Sequence, residues 1–374
     1  MKSNKGILYS VTSLVRVVKR PEMSKRKTAL LYISAIIVAI AAGGIFILAL
    51  GENPFSYYAM VAIGSFRSNI ATRALIRIII PLLITSLGLS VAFKMKFWNI
   101  GAEGQFIFGA ICATYVALFM SEGLSHFAVI LLMALAGFIG GGLFGLIPAF
   151  FKTRFGTSET LLTLMLNYVA LYLVQYLMDG PWRDPNAGGF SRIPKLPQVA
   201  WIDQIGRIDV SWMVALALTV FLFIYFKHTK QGYEISVVGD SQNTARYAGM
   251  NVNRIILRTM FISAGIAGLA GMLQAAGDAT THTLSTGIAS GVGFTAIIVA
   301  WLAKLNPFGI VVVSFLFGIL EKGCGVAESK FHLSGSVADI LQGIILFFIL
   351  AFDFFIQYKL AFGKVDKPTG GADK

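Results

Sequence analysis

Residues 28–50 read TALLYISAIIVAIAAGGIFILAL, a run of 23 positions without a charged side chain. As an α-helix this run is about 35 Å long, and the hydrocarbon core of a bilayer is about 30 Å thick. Basic residues crowd the 27 positions before it. The apolar run is too long for a secretory signal, and no clean cleavage pattern comes after it. We therefore expect residues 28–50 to form an uncleaved first transmembrane helix.

The composition extends this expectation to the whole chain. Of the 374 residues, 56% are hydrophobic and 13% are charged, whereas about 25% are charged in a typical soluble domain. We expect an all-α, polytopic membrane protein with about ten transmembrane helices. The expected spans lie near residues 28–50, 74–93, 100–120, 127–147, 159–178, 211–226, 259–276, 292–303, 308–321 and 336–355.

The net charge of +13 fits the same topology. If the N-terminus lies inside, 22 of the 31 Lys and Arg residues fall in inner segments and 8 in outer ones. Lys and Arg accumulate on the cytoplasmic side of membrane proteins, so we expect both termini to be cytoplasmic. The basic excess then reflects topology and attraction to anionic membrane lipid. It does not indicate a nucleic-acid partner.

The charge pattern also suggests where the chain divides. A basic lead covers residues 1–27, the transmembrane domain covers 28–355, and a tail covers 356–374. In the lead, apolar residues that include Val15 and Val18 recur at helical spacing between basic ones. This pattern predicts a helix lying on the membrane surface.

Two hydrophilic segments interrupt the transmembrane domain. Residues 179–210 fall on the expected outer side and residues 227–258 on the inner side. The inner segment is the natural place for contact with a cytoplasmic partner. Elsewhere, glycines at intervals of four (Gly137, Gly141 and Gly145) predict a face where helices pack closely.

Several kinds of chemistry are not indicated. Cys112 and Cys324 lie in or near expected spans and are predicted to be buried hydrophobic residues. No CxxC motif or His/Cys cluster indicates a metal site. Gly363-Lys364 lacks both the glycine loop and the hydroxyl residue of a P-loop, so we expect no ATP site and no cofactor in this chain. No Ser/His/Asp or paired-carboxylate set suggests hydrolysis, which makes an enzyme the weaker hypothesis.

A polar stretch, Phe97–Gln105 (FWNIGAEGQ), stands between two apolar segments. Glu103 is either ionised beside a wet pathway or paired structurally. The amides of Asn99 and Gln105 suit hydroxyl groups or base edges, and they equally suit backbone opened near the glycines. The topology places this stretch where the chain enters the next span from the inside. We therefore expect an inner-half pathway or gate element.

Four segments carry motifs in the order of a known family. Together they resemble the permease subunits of ABC importers, in the superfamily of branched-chain amino acid and simple-sugar permeases. The first segment resembles the nucleoside branch most closely. The segments are Trp98–Gln105, Gly232–Met250, Ile262–Gly271 and Gly293–Gly309, within roughly residues 70–350.

The segment Gly232–Met250 resembles the family's cytoplasmic region. A short helix over 244–250 is predicted, with Asp240 or Ser241 able to cap its start and Gly249 able to help end it. Such a helix can receive a push from a separate ATPase. The sequence departs from the family at Ser236 and Val237, where an arginine is common, and at Ala303, where a glycine is common. The candidate coupling residues are Gly232, Gly239, Asn243, Ala245, Arg246, Tyr247 and Gly249.

Further candidates come from polar and aromatic residues in or beside spans. Trp98 and Trp301 can stack a nucleobase or anchor at the membrane interface. Asn167, and Gln274 with Asp278 on one helix face, can line a pathway or join helices. The candidate pathway or gate residues are Trp98, Asn99, Glu103, Gln105, Asn167, Gln274 and Trp301.

One internal match indicates either a repeated structure or a chance similarity, since matches this short also arise by chance in membrane sequences. Two segments, each a span end, a basic inner turn and the start of another span, align at a constant offset, and internal repeats are common among transporters. The matched residues are Val91, Ala92, Phe93, Lys96 and Gly101 in one copy and Val299, Ala300, Trp301, Lys304 and Gly309 in the other.

The resemblance implies a membrane-embedded subunit of an ATP-driven importer in the bacterial cell membrane, most similar to nucleoside importers. It implies three protein partners: a cytoplasmic ATPase that binds ATP, a second homologous permease, and an extracytoplasmic substrate-binding lipoprotein. A simple-sugar importer, for example of a pentose, is the alternative within the class. An ion-coupled transporter with Glu103 and Asp278 as carriers is the alternative outside it.

Overall fold

The computed structural model describes residues 15–19, 25–277 and 282–362 of the chain. Helices dominate these residues. The helices are α1 (Lys25–Ala49), α2 (Pro54–Gly64), α3 (Asn69–Lys94), α4 (Ala102–Phe119), α5 (His126–Phe155), α6 (Glu159–Asp179), α7 (Ser211–His228), α8 (Lys230–Asp240), α9 (Gln242–Tyr247), α10 (Val252–Gly277), α11 (Val292–Leu302), α12 (Pro307–Phe331) and α13 (Val337–Gln357). The described part also has a 3-10 helix (Gln198–Ala200) and four short strands: β1 (Val15–Lys19), β2 (Gln204–Ile205), β3 (Ile208–Asp209) and β4 (Tyr358–Phe362).

Several helix boundaries arise from local sequence. Ser68, Ser125 and Ser158 precede α3, α5 and α6, and each hydroxyl accepts a hydrogen bond from a backbone N–H in the first turn. Such caps satisfy N–H groups that have no partner inside the helix. At the other end of α5, Gly156 adopts φ 67°, a left-handed conformation that glycine takes without strain.

In the described residues, seven helices are long and apolar enough to cross a membrane. A bent pair, residues 33–49 of α1 with α2 at 113°, raises the number to eight if it is one span. The seven helices are α3, α4, α5, α6, α7, α10 and α12.

The expected span at 292–303 is shorter than a membrane requires. Its helix, α11, has 11 residues and is about 16 Å long at 1.5 Å per residue, roughly half of the hydrocarbon thickness. The residues before it, 282–291, form turns and bends and lengthen this segment without adding helix. The reason is local: Gly287 and Gly291 lie in this stretch, and Gly291 adopts φ 82° where the helix begins.

The chain divides into two compact units. The smaller unit comprises residues 1–60 and 327–374. In its described part, α13 packs on α1, and β1 pairs antiparallel with β4, Val15 opposite Phe362 and Lys19 opposite Tyr358. The helix expected through Val15 and Val18 is therefore wrong for residues 15–19. Three of these five residues are valine, whose branched side chain favours strands.

The larger unit comprises residues 61–326. Its centre is α10, which packs against α3, α4 and α5. Glycines make this close approach possible, because a Cβ at Gly109, Gly141 or Gly268 would overlap the backbone of a neighbouring helix. The predicted packing face at Gly137, Gly141 and Gly145 is confirmed, since all three lie against α10.

The two matched inner turns have the same backbone geometry. Lys96 and Lys304 both adopt left-handed conformations, with φ of 58° and 52°. In each turn the lysine N–H donates to a carbonyl three residues earlier at 2.9 Å, that of Phe93 and that of Trp301. The rings of Phe93 and Trp301 are themselves in contact, with centroids 5.6 Å apart. Equivalent positions of the two copies therefore meet.

Candidate functional site

The polar stretch Phe97–Gln105 folds into irregular backbone and then the start of α4. Asn99 and Gln105 are buried and pair through both amide groups. Asn99 Nδ2 donates to Gln105 Oε1 at 2.9 Å, and Gln105 Nε2 donates to Asn99 Oδ1 at 3.0 Å. Asn99 Oδ1 also accepts the Gly101 N–H at 3.0 Å. These amides therefore satisfy one another and the local backbone, as buried irregular backbone requires.

Helix α6 holds the same stretch from the side. Asn167 Nδ2 donates to the Ile100 carbonyl at 2.9 Å, and Asn167 Oδ1 accepts the Gly104 N–H at 2.8 Å. Thr163 Oγ1 accepts the Ile100 N–H at 3.2 Å. A Cβ on Gly104 would lie 2.9 Å from the Asn167 Cα, so glycine is needed for this approach. No local sequence pattern marks Thr163 as a candidate.

Glu103 connects α4 to the start of α11. Its Oε1 accepts the Gly291 N–H at 2.8 Å and its Oε2 accepts the Gly293 N–H at 2.6 Å. These N–H groups belong to the first turn of α11, where the helix dipole favours negative charge. A Cβ on Gly293 would overlap the Glu103 backbone. The carboxylate therefore acts as the side-chain cap of a helix 188 residues further along the chain.

At the other end of α11, Trp98 and Trp301 stack on each other. Their ring centroids are 5.4 Å apart with an interplanar angle of 19°. Phe93 contacts both rings. Trp98 is 49% and Trp301 38% exposed. Each tryptophan therefore has an aromatic neighbour in this structure, and both rings remain partly exposed.

Gln274 lies in a different place, on α10 beside two polar cavities. The larger, about 390 Å³, is bounded by α3, α10, α12 and the loop that precedes α11. The smaller, about 80 Å³, is bounded by α3, α10 and the segment before α7. Asp278, the predicted neighbour of Gln274, lies outside the described residues. The polar residues lining the larger cavity are Arg77, Gln274, Thr283, Ser285, Ser290 and Glu321.

Arg77 belongs to both cavities and was missed as a candidate. Its Nε lies 3.8 Å from the Asp209 carboxylate, and the Asp209 side chain is nearly buried. In the sequence Arg77 looks like a residue at the end of a span. Its partner lies 132 positions later, in the hydrophilic segment 179–210, so no local pattern connects the two.

The segment 179–210 is anchored to the loop before α11. The ring of Trp201 stacks on His282 with centroids 4.0 Å apart, and the Leu196 N–H donates to the His282 carbonyl at 2.8 Å. Thr283 Oγ1 donates to the Ile193 carbonyl at 2.9 Å. The same segment also carries an internal ion pair, Asp184 with Arg192. The backbone N–H of Asn186 lowers the pKa of the Asp184 carboxyl, and the Arg192 guanidinium adds to this effect.

The segment 227–258 forms α8, α9 and the start of α10. Ser241 caps α9, its Oγ accepting the Thr244 N–H at 3.2 Å. Gly249 adopts φ 76° at its end, and the Met250 N–H donates to the Ala245 carbonyl at 3.0 Å. The predicted short helix is confirmed, with bounds Gln242–Tyr247 in place of residues 244–250.

The seven coupling candidates divide by burial. Gly232, Gly239 and Ala245 are buried. A Cβ on Gly239 would overlap the Lys94 carbonyl, so α8 rests directly on the end of α3. Asn243, Arg246 and Tyr247 are exposed, and Tyr247 is 93% exposed. Helix α9 is therefore exposed at every position except Ala245, which anchors it. Gly249 forms the turn at its end.

Among residues 15–19, 25–277 and 282–362, no group of three His, Cys, Asp or Glu side chains can hold a metal ion.

The apolar helices are those of a multi-pass membrane protein, and the family model that matches the chain makes it a transport component rather than an enzyme. More specifically, the chain belongs to the family described as branched-chain amino acid transport system / permease component, whose model matches residues 70–350.

Named relatives cover most of this chain and most of their own length. It is 32% identical over 333 residues to the guanosine ABC transporter permease protein NupP of Bacillus subtilis, covering 87% of this chain and 94% of NupP. It is 26% identical over 362 residues to the nucleoside ABC transporter permease protein NupB of Lactococcus lactis, covering 94% and 98%. It is 28% identical over 338 residues to the glucose ABC transporter permease protein TsgB13 of Haloferax volcanii, covering 87% and 88%.

Proposed function

We propose that this chain is the membrane-spanning permease subunit of an ATP-driven importer of nucleosides in the bacterial cell membrane. Two of the relatives carry guanosine or nucleoside in their names. A separate cytoplasmic ATPase binds the ATP, a second homologous permease completes the pathway, and an extracytoplasmic lipoprotein delivers the substrate. A simple sugar is the second candidate substrate, because one relative is a glucose permease.

The proposed topology keeps ten crossings with both termini inside. The domain bounds stay at 1–27, 28–355 and 356–374. The eighth crossing is discontinuous: residues 282–291 enter as irregular turns from the outer side, and α11 continues to the inner turn at Lys304. Irregular backbone is tolerated at membrane depth where it is buried in protein or lines a wet cavity. Here the start of α11 is buried against α4 at Gly293, and the Glu103 carboxylate accepts the Gly291 and Gly293 N–H groups.

The substrate path begins at the larger polar cavity. Arg77, Gln274, Ser285 and Ser290 supply donors and acceptors suited to a ribose with several hydroxyl groups. The lining contains no aromatic ring among the described residues, so the sugar rather than the base is the part held there. The Asn99–Gln105 stretch and the Trp98–Trp301 stack lie beyond it, as gate elements of the inner half.

A continuous set of contacts joins the two sides of the protein, and this observation carries the proposal. The outer segment touches the loop before α11 through Trp201 and His282. Glu103 holds the start of α11, and Trp301 near its end touches Phe93 on α3. Helix α8 rests on the end of α3 through Gly239. Movement of the coupling segment 227–258 therefore reaches α11 and the outer loop through direct contacts, which alternating access requires.

Uptake by the complete transporter tests the proposal. Radiolabelled guanosine is offered to proteoliposomes containing all subunits, with adenosine, ribose, glucose or leucine as competitors. Competition by adenosine alone supports a nucleoside importer, and competition by ribose or glucose supports the sugar alternative. Uptake that needs internal ATP and ignores a protonophore supports the ATP-driven class. Uptake that continues without ATP and stops with the protonophore would contradict it in favour of an ion-coupled transporter.

A further inference from the structure

A further polar cavity, of about 710 Å³, opens between α8 and the start of α10. Its volume lies in the range of small-ligand sites. Basic side chains dominate its charged groups. Lys230, Arg254 and Arg258 line it together with one acidic residue, Glu234. We propose that this cavity binds a phosphate-bearing anion, supplied by the headgroup of an anionic lipid in the inner leaflet or by a soluble phosphate compound.

The charge balance within the cavity favours an anion. The carboxylate of Glu234 is used by Arg258, whose Nη2 donates to it at 2.9 Å. The Arg258 Nε is buried and has no hydrogen-bond partner among the described residues. Lys230 and Arg254 are exposed, and neither forms an ion pair within the described part of the chain. The two positive charges of Lys230 and Arg254 therefore remain for a ligand.

The backbone adds to this attraction. The turn Gly249–Asn251 lines the cavity and leads directly into α10, a helix of 26 residues. The first N–H groups of a long helix carry partial positive charge that favours anions. Here Asn251 Oδ1 accepts the Arg254 N–H at 3.1 Å, and within the described part of the chain the N–H groups before it have no such cap. Tyr233, which is 63% exposed, stands at the same cavity and offers a hydroxyl. The oxygens of a phosphate suit this combination of cationic side chains, N–H groups and hydroxyl.

The position of the cavity gives the ligand a role. Lys230 begins α8 directly after the apolar helix α7 ends, so the basic residues stand where inner-leaflet headgroups lie in the proposed topology. The turn that lines the cavity also ends α9, the helix that presents Arg246 and Tyr247. A bound anion would therefore brace the coupling helix from its C-terminal side. Anionic lipid would act as a positive regulator of coupling.

Lipid retention by the full-length chain tests this site. The purified protein is incubated with short-chain phosphatidylglycerol or phosphatidylcholine, and bound lipid is counted by native mass spectrometry. The test variant is Lys230→Gln with Arg254→Gln, both at exposed positions. The control is Arg154→Gln with Lys227→Gln, which removes the same charge from exposed inner-side residues outside the cavity. We expect about 30-fold weaker phosphatidylglycerol binding in the test variant and little change in the control.

Inorganic phosphate distinguishes the two sources. Phosphatidylglycerol binding that survives millimolar phosphate supports the lipid headgroup as the ligand. Phosphate that displaces the lipid, and raises the thermal stability of the wild type but not of the test variant, supports a soluble phosphate compound. Equal retention of phosphatidylglycerol by the wild type and the test variant, without any effect of phosphate, would overturn the proposal. So would an equal loss in the control variant, because binding would then depend on net charge alone.

Discussion

Glu103 Oε2 lies 2.6 Å from the backbone nitrogen of Gly293, which is 190 residues further along the chain. The contact joins the first turn of α4 to the first turn of α11. It places a carboxylate against a helix N-terminus and removes the need for a separate cation partner. The most distinctive charge of the polar stretch thus serves to hold a half-length helix.

Replacing Glu103 by Gln keeps the shape and removes the charge. The amide oxygen of the glutamine can still accept one of the two N–H groups. Its NH2 group would face the other N–H, and two donors cannot form a hydrogen bond. We expect a loss of about 2–3 kcal/mol of stability, since hydrogen bonds to charged groups contribute about 1.5–3 kcal/mol. Thermal unfolding in detergent and uptake by the complete transporter measure the effect. Glu103→Asp, with a shorter reach, should fall between. Unchanged stability and uptake in Glu103→Gln would show that the charge of Glu103 contributes neither to stability nor to transport.

Gly293→Ala tests the same contact by volume. The new Cβ would overlap the Glu103 backbone, so α11 must shift or the hydrogen bonds from Glu103 to α11 must break. We expect uptake to fall at least tenfold with normal membrane insertion, because a shift of about 1 Å in a functional constellation has effects of this order. Gly325→Ala on α12 is the matched control, since a Cβ there meets nothing within 4 Å. Equal uptake by both variants contradicts the prediction.

Asn167→Ala leaves two buried backbone groups without partners, the Gly104 N–H and the Ile100 carbonyl. Each such group costs about 1–3 kcal/mol, so we expect a destabilisation of about 2–4 kcal/mol. Leu161→Ala on the same helix is the control, because Leu161 is 61% exposed. Chemical unfolding of the two purified variants gives the comparison. A smaller loss for Asn167→Ala than for Leu161→Ala is incompatible with the observed contacts.

Charge reversal on α9 tests coupling to the ATPase. Arg246→Glu changes an exposed side chain of a surface helix, so the fold should be preserved. We expect uptake and substrate-stimulated ATP hydrolysis to be lost while the substrate-binding protein still docks. Lys227→Glu makes the same charge change at an exposed residue outside α9 and should retain uptake. Normal uptake and ATPase stimulation in Arg246→Glu would exclude α9 as the coupling helix.

Gln274→Leu tests whether the larger polar cavity belongs to the proposed substrate path. The change keeps the approximate volume and removes one hydrogen-bonding amide at the cavity wall. One hydrogen bond of about 1 kcal/mol corresponds to about a fivefold rise in the substrate concentration for half-maximal uptake. The thermal stability should stay near that of the wild type. An unchanged concentration dependence, with the protein correctly inserted, would place the pathway elsewhere.

The sequence predicts the parts of this fold that depend on local pattern. Long apolar runs mark most helices, and Ser241 and Gly249 mark the bounds of α9 because capping and left-handed turns act within a few residues. The short strand at residues 15–19 escapes this reasoning, since its partner is β4, more than 300 positions away. Helical spacing of Val15 and Val18 carries no information about that pairing.

The sequence predicts several of the polar residues that belong to the candidate site, but it does not predict which groups they contact. Asn99, Glu103, Gln105 and Asn167 stand out because polar groups are costly among apolar spans. Most of their hydrogen-bond partners lie too far away in the sequence to be predicted. The Asn99–Gln105 pair is local, but Glu103 binds backbone N–H groups of glycines, which have no side chain to complement a carboxylate. Arg77 with Asp209 likewise joins distant segments. Such contacts arise from the packing of whole helices.

The two matched inner turns lead into different structures. Beyond the first, residues 99–101 stay irregular before α4 begins at Ala102; beyond the second, α12 begins at Pro307, the counterpart of Asn99. Pro307, Val311 and Val313 occupy the positions that correspond to Asn99, Glu103 and Gln105. One copy thus has an uninterrupted helix where the other has a polar break. The second copy therefore shows that such a turn can lead directly into an apolar helix, so the polar break of the first copy is a property of its own residues and not of the turn.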